Sequence, residues 1–137
     1  MVRWNIMTID KLGWIYIKDK KLLGVRSERK DVFYIPGGKR KGGETDKEAL
    51  IREVKEELNI ELIPESLKLV NTFKAQAHGK EEGTLLQITC YSGDFKGNMS
   101  SASEIEEMAW LSYKYKEKAP PMLKTILDWL KEKDLIT

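Results

Sequence analysis

Residues 38–60, reading GKRKGGETDKEALIREVKEELNI, constrain this chain more tightly than any other stretch: a glycine-rich loop runs directly into an amphipathic helix. Thr45 is placed to cap that helix, and Glu48 to close a capping box, which predicts a start near Asp46. At about 100° per residue, Glu57 lies about 40° to one side of Glu53 and Glu56 about 60° to the other. Three carboxylates therefore share one face. Leu50, Ile51, Val54 and Leu58 fall on the adjoining arc, the face the helix can bury.

Like charges on neighbouring helix positions repel, so packing alone gives no reason to gather them. By itself REVKEEL is more often a solvated face paired with lysines than a site. The Pro36-Gly37-Gly38 turn and Glu44 beside the helix entrance shift the balance to a metal–phosphate site. Magnesium takes oxygen ligands, keeps several waters, and is held by carboxylates together with substrate phosphates. Mg2+ is thus the expected cation, with Mn2+ the alternative, and Glu53, Glu56 and Glu57 are its main expected ligands. Gly37, Gly38, Gly42 and Gly43 let backbone approach a ligand closely.

These residues carry a resemblance to the Nudix hydrolase superfamily, in its MutT-like branch. Gly38, Glu44, Arg52, Glu53, Val54, Glu56, Glu57 and Ile60 match the signature G-x5-E-x7-R-E-U-x-E-E-x-G-U, where U is aliphatic. Asn59 replaces the last glycine. Asn tolerates a left-handed helix end, so the backbone requirement there is still met. The resemblance implies an α/β fold, an α/β/α sandwich around a mixed β-sheet. It also implies hydrolysis of a nucleoside diphosphate linked to X, and adds Glu44 and the Gly38 carbonyl to the metal ligands.

A length of 137 residues suits a single domain over 1–137, large enough for a core. The 24 basic and 22 acidic residues nearly cancel, which argues against extended nucleic-acid binding. One cysteine, Cys90, excludes an intrachain disulfide, and its apolar surroundings (LLQITCY) point to a buried, inert thiol. No stretch is apolar enough for a signal peptide or a membrane span, so a cytoplasmic protein is expected. Monomer and homodimer are equally compatible with the sequence.

Aromatic and β-branched residues predict a strand over 12–17, then a turn at Lys18-Asp19-Lys20 and a hairpin partner over 21–26. A charged loop over 27–31 leads to a short strand over 32–35, and another strand is expected over 3–9. Beyond the helix, residues 67–77 and 84–94 read as long strands joined by HGKEEG, 95–103 as a loop, and 108–112 as a short strand. Pro120 and Pro121 suit the first turn of a closing helix, where Leu123, Ile126, Leu127 and Leu130 form a core-facing stripe.

Arg52 lies off the glutamate face and is expected to orient a neighbouring carboxylate. Lys39 and, less directly, Arg26 are candidates for phosphate contact, while Phe33, Tyr34 and Met122 could line or stack on a base. The family resemblance implies that the general base is a glutamate of the box or an acid of a later loop. Glu104, placed before Trp110 like the late metal-binding glutamate of the bacterial mutator protein, is the candidate, with Glu106 and Glu107 as neighbours. His78, beside a turn, is expected to be solvated.

The ADP-ribose subgroup has a proline downstream of the box, where Ala75, Gln76 and Ala77 stand here. The tyrosine of the dinucleoside-polyphosphate subgroup is missing as well. The resemblance then implies a small-molecule nucleotide substrate, a nucleoside triphosphate hydrolysed to monophosphate and pyrophosphate, as in nucleotide-pool sanitising. Nucleotide-sugars, RNA 5′ ends and a non-catalytic ligand-binding module are the alternatives. The segment before the last helix offers no amide to read a base, so weak base discrimination is expected.

Overall fold

The computed structural model describes residues 8–137. Most of the strand expected over 3–9 lies outside the described residues. Strand β1 (Thr8–Trp14) forms the inner part of a four-stranded sheet with β4 (Gly37–Gly38), β6 (Lys68–Gln76) and β7 (Leu85–Ser92). The order is β4-β1-β7-β6, with β1 and β7 parallel and the other pairs antiparallel. This is the expected mixed sheet. A second, antiparallel sheet joins β2 (Ile17–Lys18), β3 (Lys21–Ser27) and β9 (Ile105–Leu111). A small third pair is made by β5 (Glu61–Leu62) and β8 (Phe95–Lys96); β8 is a correction to the loop expected over 95–103, whose start pairs with the chain leaving the first helix.

Alternation along β1 and β7 assigns each helix its own face of the sheet. Leu12, Trp14 and Tyr91 pack with Ala49, Leu50, Val54 and Leu58 of α1 (Asp46–Leu58). Ile88 and Cys90 pack with Met122, Leu123, Ile126, Leu127 and Leu130 of α2 (Pro121–Glu132). The sheet between two helix layers is the α/β/α arrangement. Pro121 opens α2 as its first helical residue, where a missing N–H costs nothing.

The Thr45 side chain accepts from the Glu48 N–H at 3.2 Å, and the Glu48 carboxylate accepts from the Thr45 N–H at 2.9 Å. Asn59 ends α1 at φ 57°, in the left-handed region that the family's glycine would also serve. Thr45→Ala removes one half of the capping box and should cost about 1 kcal/mol of stability, readable by urea unfolding.

Two strand expectations need correction. The run over 12–17 is not one strand paired with 21–26: it breaks at Ile15–Tyr16, and only Ile17–Lys18 pairs with β3. Asp19 and Lys20 both have positive φ, which sets the tight turn, while β1 is drawn away to pair with β7 and β4. Residues 32–35 form only one isolated bridge, Tyr34 with Val25, and the chain then turns at Pro36, whose missing N–H cannot extend a ladder.

Candidate active site

The β4 glycines and the start of α1 bring the box together. Gly37 takes φ +142°, and an added Cβ would meet the Leu12 carbonyl oxygen at 2.0 Å, so only glycine lets β4 lie so close to β1. At Gly38 an added Cβ would meet the Glu53 carboxyl carbon at 2.4 Å. The Glu53 carboxylate therefore rests against the Gly38 backbone. One turn on, Glu57 is the single buried charged residue among those described, and it accepts from the Gly37 N–H at 3.0 Å.

Arg52 gathers the remaining acids of the box. Its guanidinium pairs two-fold with Glu44, Nε at 2.7 Å and Nη2 at 2.9 Å, and its Nη1 reaches Glu53 at 3.2 Å and Glu56 at 3.4 Å. Nη2 also donates to the Lys39 carbonyl at 3.0 Å, tying the glycine loop to the helix. The fork beside Glu44 holds that carboxyl down to about 2, and Glu44 in turn raises Arg52 above its ordinary value.

Glu53 and Glu57 open onto a cavity of about 450 Å³. Its lining is mixed: Gly37, Gly38, Lys11, Lys30, Lys39 and Glu104 are its polar members, and Ile35, Leu86, Ile88, Met122, Leu123 and Ile126 are apolar ones. Burial pushes the Glu57 carboxyl up to about 8, and the negative charges of Glu53 and Glu104 push in the same direction. Glu53 is raised as well, first by burial. Glu57 loses water on folding without forming an ion pair among the described residues, whereas Glu53 keeps the Arg52 guanidinium at 3.2 Å and its burial still outweighs that contact.

In protein stripped of divalent cations this has a measurable consequence. The unfolded chain ionises Glu57 near its ordinary 4.5 while the folded chain holds the proton to about 8. Stability from this group is therefore full below the lower value and is lost as pH rises through the window, by at most about 1.4 kcal/mol per pH unit. Tm should fall over that range, and Glu57→Gln, which can still accept from Gly37, should flatten the slope.

Among the described residues, no three His, Cys, Asp or Glu side chains converge into a cage that would enclose an ion unaided. The donors gathered around Glu53 and Gly38 are carboxylate and carbonyl oxygens, and Gly38 has no Cβ to fill the space beside Glu53. Such a partial, all-oxygen set fits a hard divalent cation that keeps waters and completes its shell with phosphate oxygens.

The structure sorts the sequence candidates. Gly38, Lys39, Glu53, Glu57, Glu104, Tyr34 and Met122 all line the cavity. Glu44, Arg52 and Glu56 do not; they stand behind Glu53, with Glu56 about half exposed. Of the three box glutamates, Glu53 and Glu57 face the cavity, while Glu56 stands beside Arg52 at 3.4 Å. Arg26 is corrected as a phosphate contact: it is consumed by Glu106 at 3.2 Å, Glu107 at 3.1 Å and the Lys30 carbonyl at 3.0 Å. Those pairs also remove Glu106 and Glu107 as rivals of Glu104. Phe33 packs edge-on against Tyr115 and does not line the cavity. His78 is exposed, as expected, yet it sits at the cavity next to Tyr34, with ring centroids 6.2 Å apart.

Sequence reasoning missed Lys11, Lys30 and Lys80, which bring further cations to the cavity wall. Only Lys11 left a signal. It follows Ile9 at the two-residue spacing of a strand, where a further apolar residue is the norm. Cys90 is fully buried with its thiol pushed up to about 12 by burial, which makes it inert as expected.

Comparisons with known proteins agree with this architecture. The model of the NUDIX domain family matches residues 12–130. An uncharacterized Nudix hydrolase of Bacillus subtilis (strain 168), YvcI, is 30% identical over 92 residues, which cover 67% of this chain and 58% of that protein's length. The solution structure of the Escherichia coli ORF135 protein superposes with TM-score 0.67 at 24% identity, covering 90% of this chain and 88% of that one. The MutT protein from Methanosarcina mazei Go1 gives 0.68 at 17% identity, covering 96% of each chain. At these identities the solved structures are similar in fold.

Proposed function

This chain belongs to the NUDIX domain family, and from that premise we propose that it hydrolyses the phosphoric anhydride of a nucleoside triphosphate, releasing nucleoside monophosphate and pyrophosphate. The observation that carries this reading is that Glu53, Glu57 and Lys39 line the same cavity, acids for a cation and ammonium for phosphate. A cavity of this size has room for a base as well, and Tyr34 and Met122 are among its lining residues.

Magnesium, when bound, supplies charge neutralisation on the phosphoryl oxygens and acidifies a water. In this reading Glu53, Glu57 and the Gly38 carbonyl would hold it from the cavity side, with Glu44 and Glu56, paired with Arg52 in the structure, as the further carboxylates of the set. Arg52 sets the direction of Glu53 and anchors the loop through the Lys39 carbonyl. Lys39 holds the phosphate chain. Glu57 and Glu104 form no ion pair among the described residues; Glu57 is buried and accepts from the Gly37 N–H, while Glu104 is exposed and accepts from the Ser103 hydroxyl at 2.6 Å through one oxygen, leaving the other free among these residues. In this reading Glu104, which lines the cavity outside the set that would hold the cation, accepts the proton of the attacking water as the water oxygen bonds to phosphorus and the bridging oxygen departs with pyrophosphate.

The test is a turnover panel of nucleoside triphosphates, nucleotide-sugars and 5′-triphosphorylated RNA, with magnesium, with manganese and with chelator. Triphosphates should be the best substrates, varying little with base, and chelator should abolish release of pyrophosphate. Faster turnover of nucleotide-sugars or RNA ends would reassign the substrate. Nucleotide binding without turnover of any member would identify a ligand-binding module.

For location, the structure adds one fact: among the described residues no helix is long and apolar enough to cross a membrane.

A further inference from the structure

Lys11 stands where the sheet has no structural use for an ammonium group. It pairs in register with Ile88 of β7, and Ile9 before it pairs with Leu86. Ile9, Leu86 and Ile88 all line the cavity, so Lys11 is a charge set into an otherwise apolar wall. On its other side the antiparallel register with β4, Leu12 opposite Gly38 and Gly13 opposite Gly37, brings Lys11 level with Lys39. Lys30 lines the same cavity from the loop after β3, and Arg26 pins that loop by donating to the Lys30 carbonyl.

Lys11 is half-buried and forms no ion pair among the described residues. Burial and the nearby charges of Lys39 and Lys30 all lower its pKa, while Glu57 and Glu53 raise it less than burial does. A partly desolvated ammonium beside two others is unfavourable unless an anion joins them. The fold keeps it there, turned into the cavity that holds the box glutamates.

We propose that Lys11 is a substrate-binding residue whose ammonium contacts a phosphate of the polyphosphate chain bound in the cavity it shares with Glu53 and Glu57, so that the site selects for phosphate charge more than for base. This rests on the nucleotide reading for its physiological setting, but the contact itself requires only a polyphosphate. Lys39 and Lys30 flank the same chain, and a longer, more highly charged chain gains most from the three ammonium groups together.

Inorganic tripolyphosphate is the probe, because it carries the charge and no base. With magnesium present, calorimetry should show tripolyphosphate binding about tenfold more weakly to Lys11→Met than to the unaltered chain, a loss typical of one charge-assisted contact. Lys11→Arg should recover most of the affinity, and a nucleoside without phosphates should bind all three proteins alike. Lys11→Gln serves where Lys11→Met folds poorly. In the unaltered protein, tripolyphosphate should slow acylation of the Lys11 amine and leave Lys124 of α2 unchanged. Equal tripolyphosphate binding by the unaltered and Met variants overturns the inference even if nucleotides are hydrolysed, and so does equal weakening of the nucleoside. If no nucleotide is turned over yet tripolyphosphate binding still depends on Lys11, the nucleotide reading fails and the Lys11 contact stands.

Discussion

Glu53→Gln should lower kcat by about a hundred- to a thousandfold while leaving the fold intact, the scale of losing one charge-stabilising group from a preorganised site. The carboxylate rests against the Gly38 backbone, and its neighbour on that side is a cavity wall, not a packed core. Glutamine has the same shape and keeps a contact to Arg52, so packing is preserved. What disappears is the negative charge that offsets a divalent cation. Burial already raises the Glu53 pKa, so removing its charge relieves desolvation, and Tm should hold or rise slightly. An exposed glutamate of α2, Glu132, replaced by glutamine gives the reference: activity there should be unchanged. Steady-state kinetics and circular dichroism on the pair decide the matter. If Glu53→Gln turned over substrate at the unaltered rate, the carboxylate would have no place in the chemistry, whatever the cavity looks like.

The two β4 glycines should separate fold from function. Gly37→Ala places a methyl group 2.0 Å from the Leu12 carbonyl oxygen, at a φ of +142° that L residues rarely adopt. Backbone cannot yield as a side chain can, and β1 is an inner strand, so the loss should exceed about 3 kcal/mol and leave little folded protein. Gly38→Ala has ordinary backbone angles, and its methyl meets only the Glu53 carboxylate, the far end of a flexible side chain. The fold should survive with a Tm shift of a few degrees, while Glu53 is pushed from its place and kcat drops about tenfold or more. Comparable Tm values for both variants would contradict the account of Gly37. Full activity of Gly38→Ala would contradict the account of Glu53.

Much of the site was legible before any coordinates. Capping at Thr45, the turn residue Asn59 and the apolar arc of α1 are consequences of helical periodicity, which neighbouring residues carry among themselves. The same holds for the α2 stripe. The partial rearrangement of the acids was less accessible, because Arg52 chose among Glu44, Glu53 and Glu56 by distance in space. Arg26 illustrates the limit well. Its place at the end of a strand favoured phosphate contact, but the β3–β9 register set it opposite Glu107 and took the charge out of use.

By itself the sequence determined the loop-and-helix unit over residues 38–60 and the fold class it belongs to, since fixed spacing on one helix decides which side chains share a face. Only the tertiary structure decided that Lys11 and His78 come to the same cavity as Glu53 and Glu57, that Phe33 turns to Tyr115, and that β1 leaves its expected hairpin for β7. The physical reason is that a strand's lateral partners lie far away along the chain. Which partner wins depends on packing the whole sheet between two helices, and no local pattern encodes that competition.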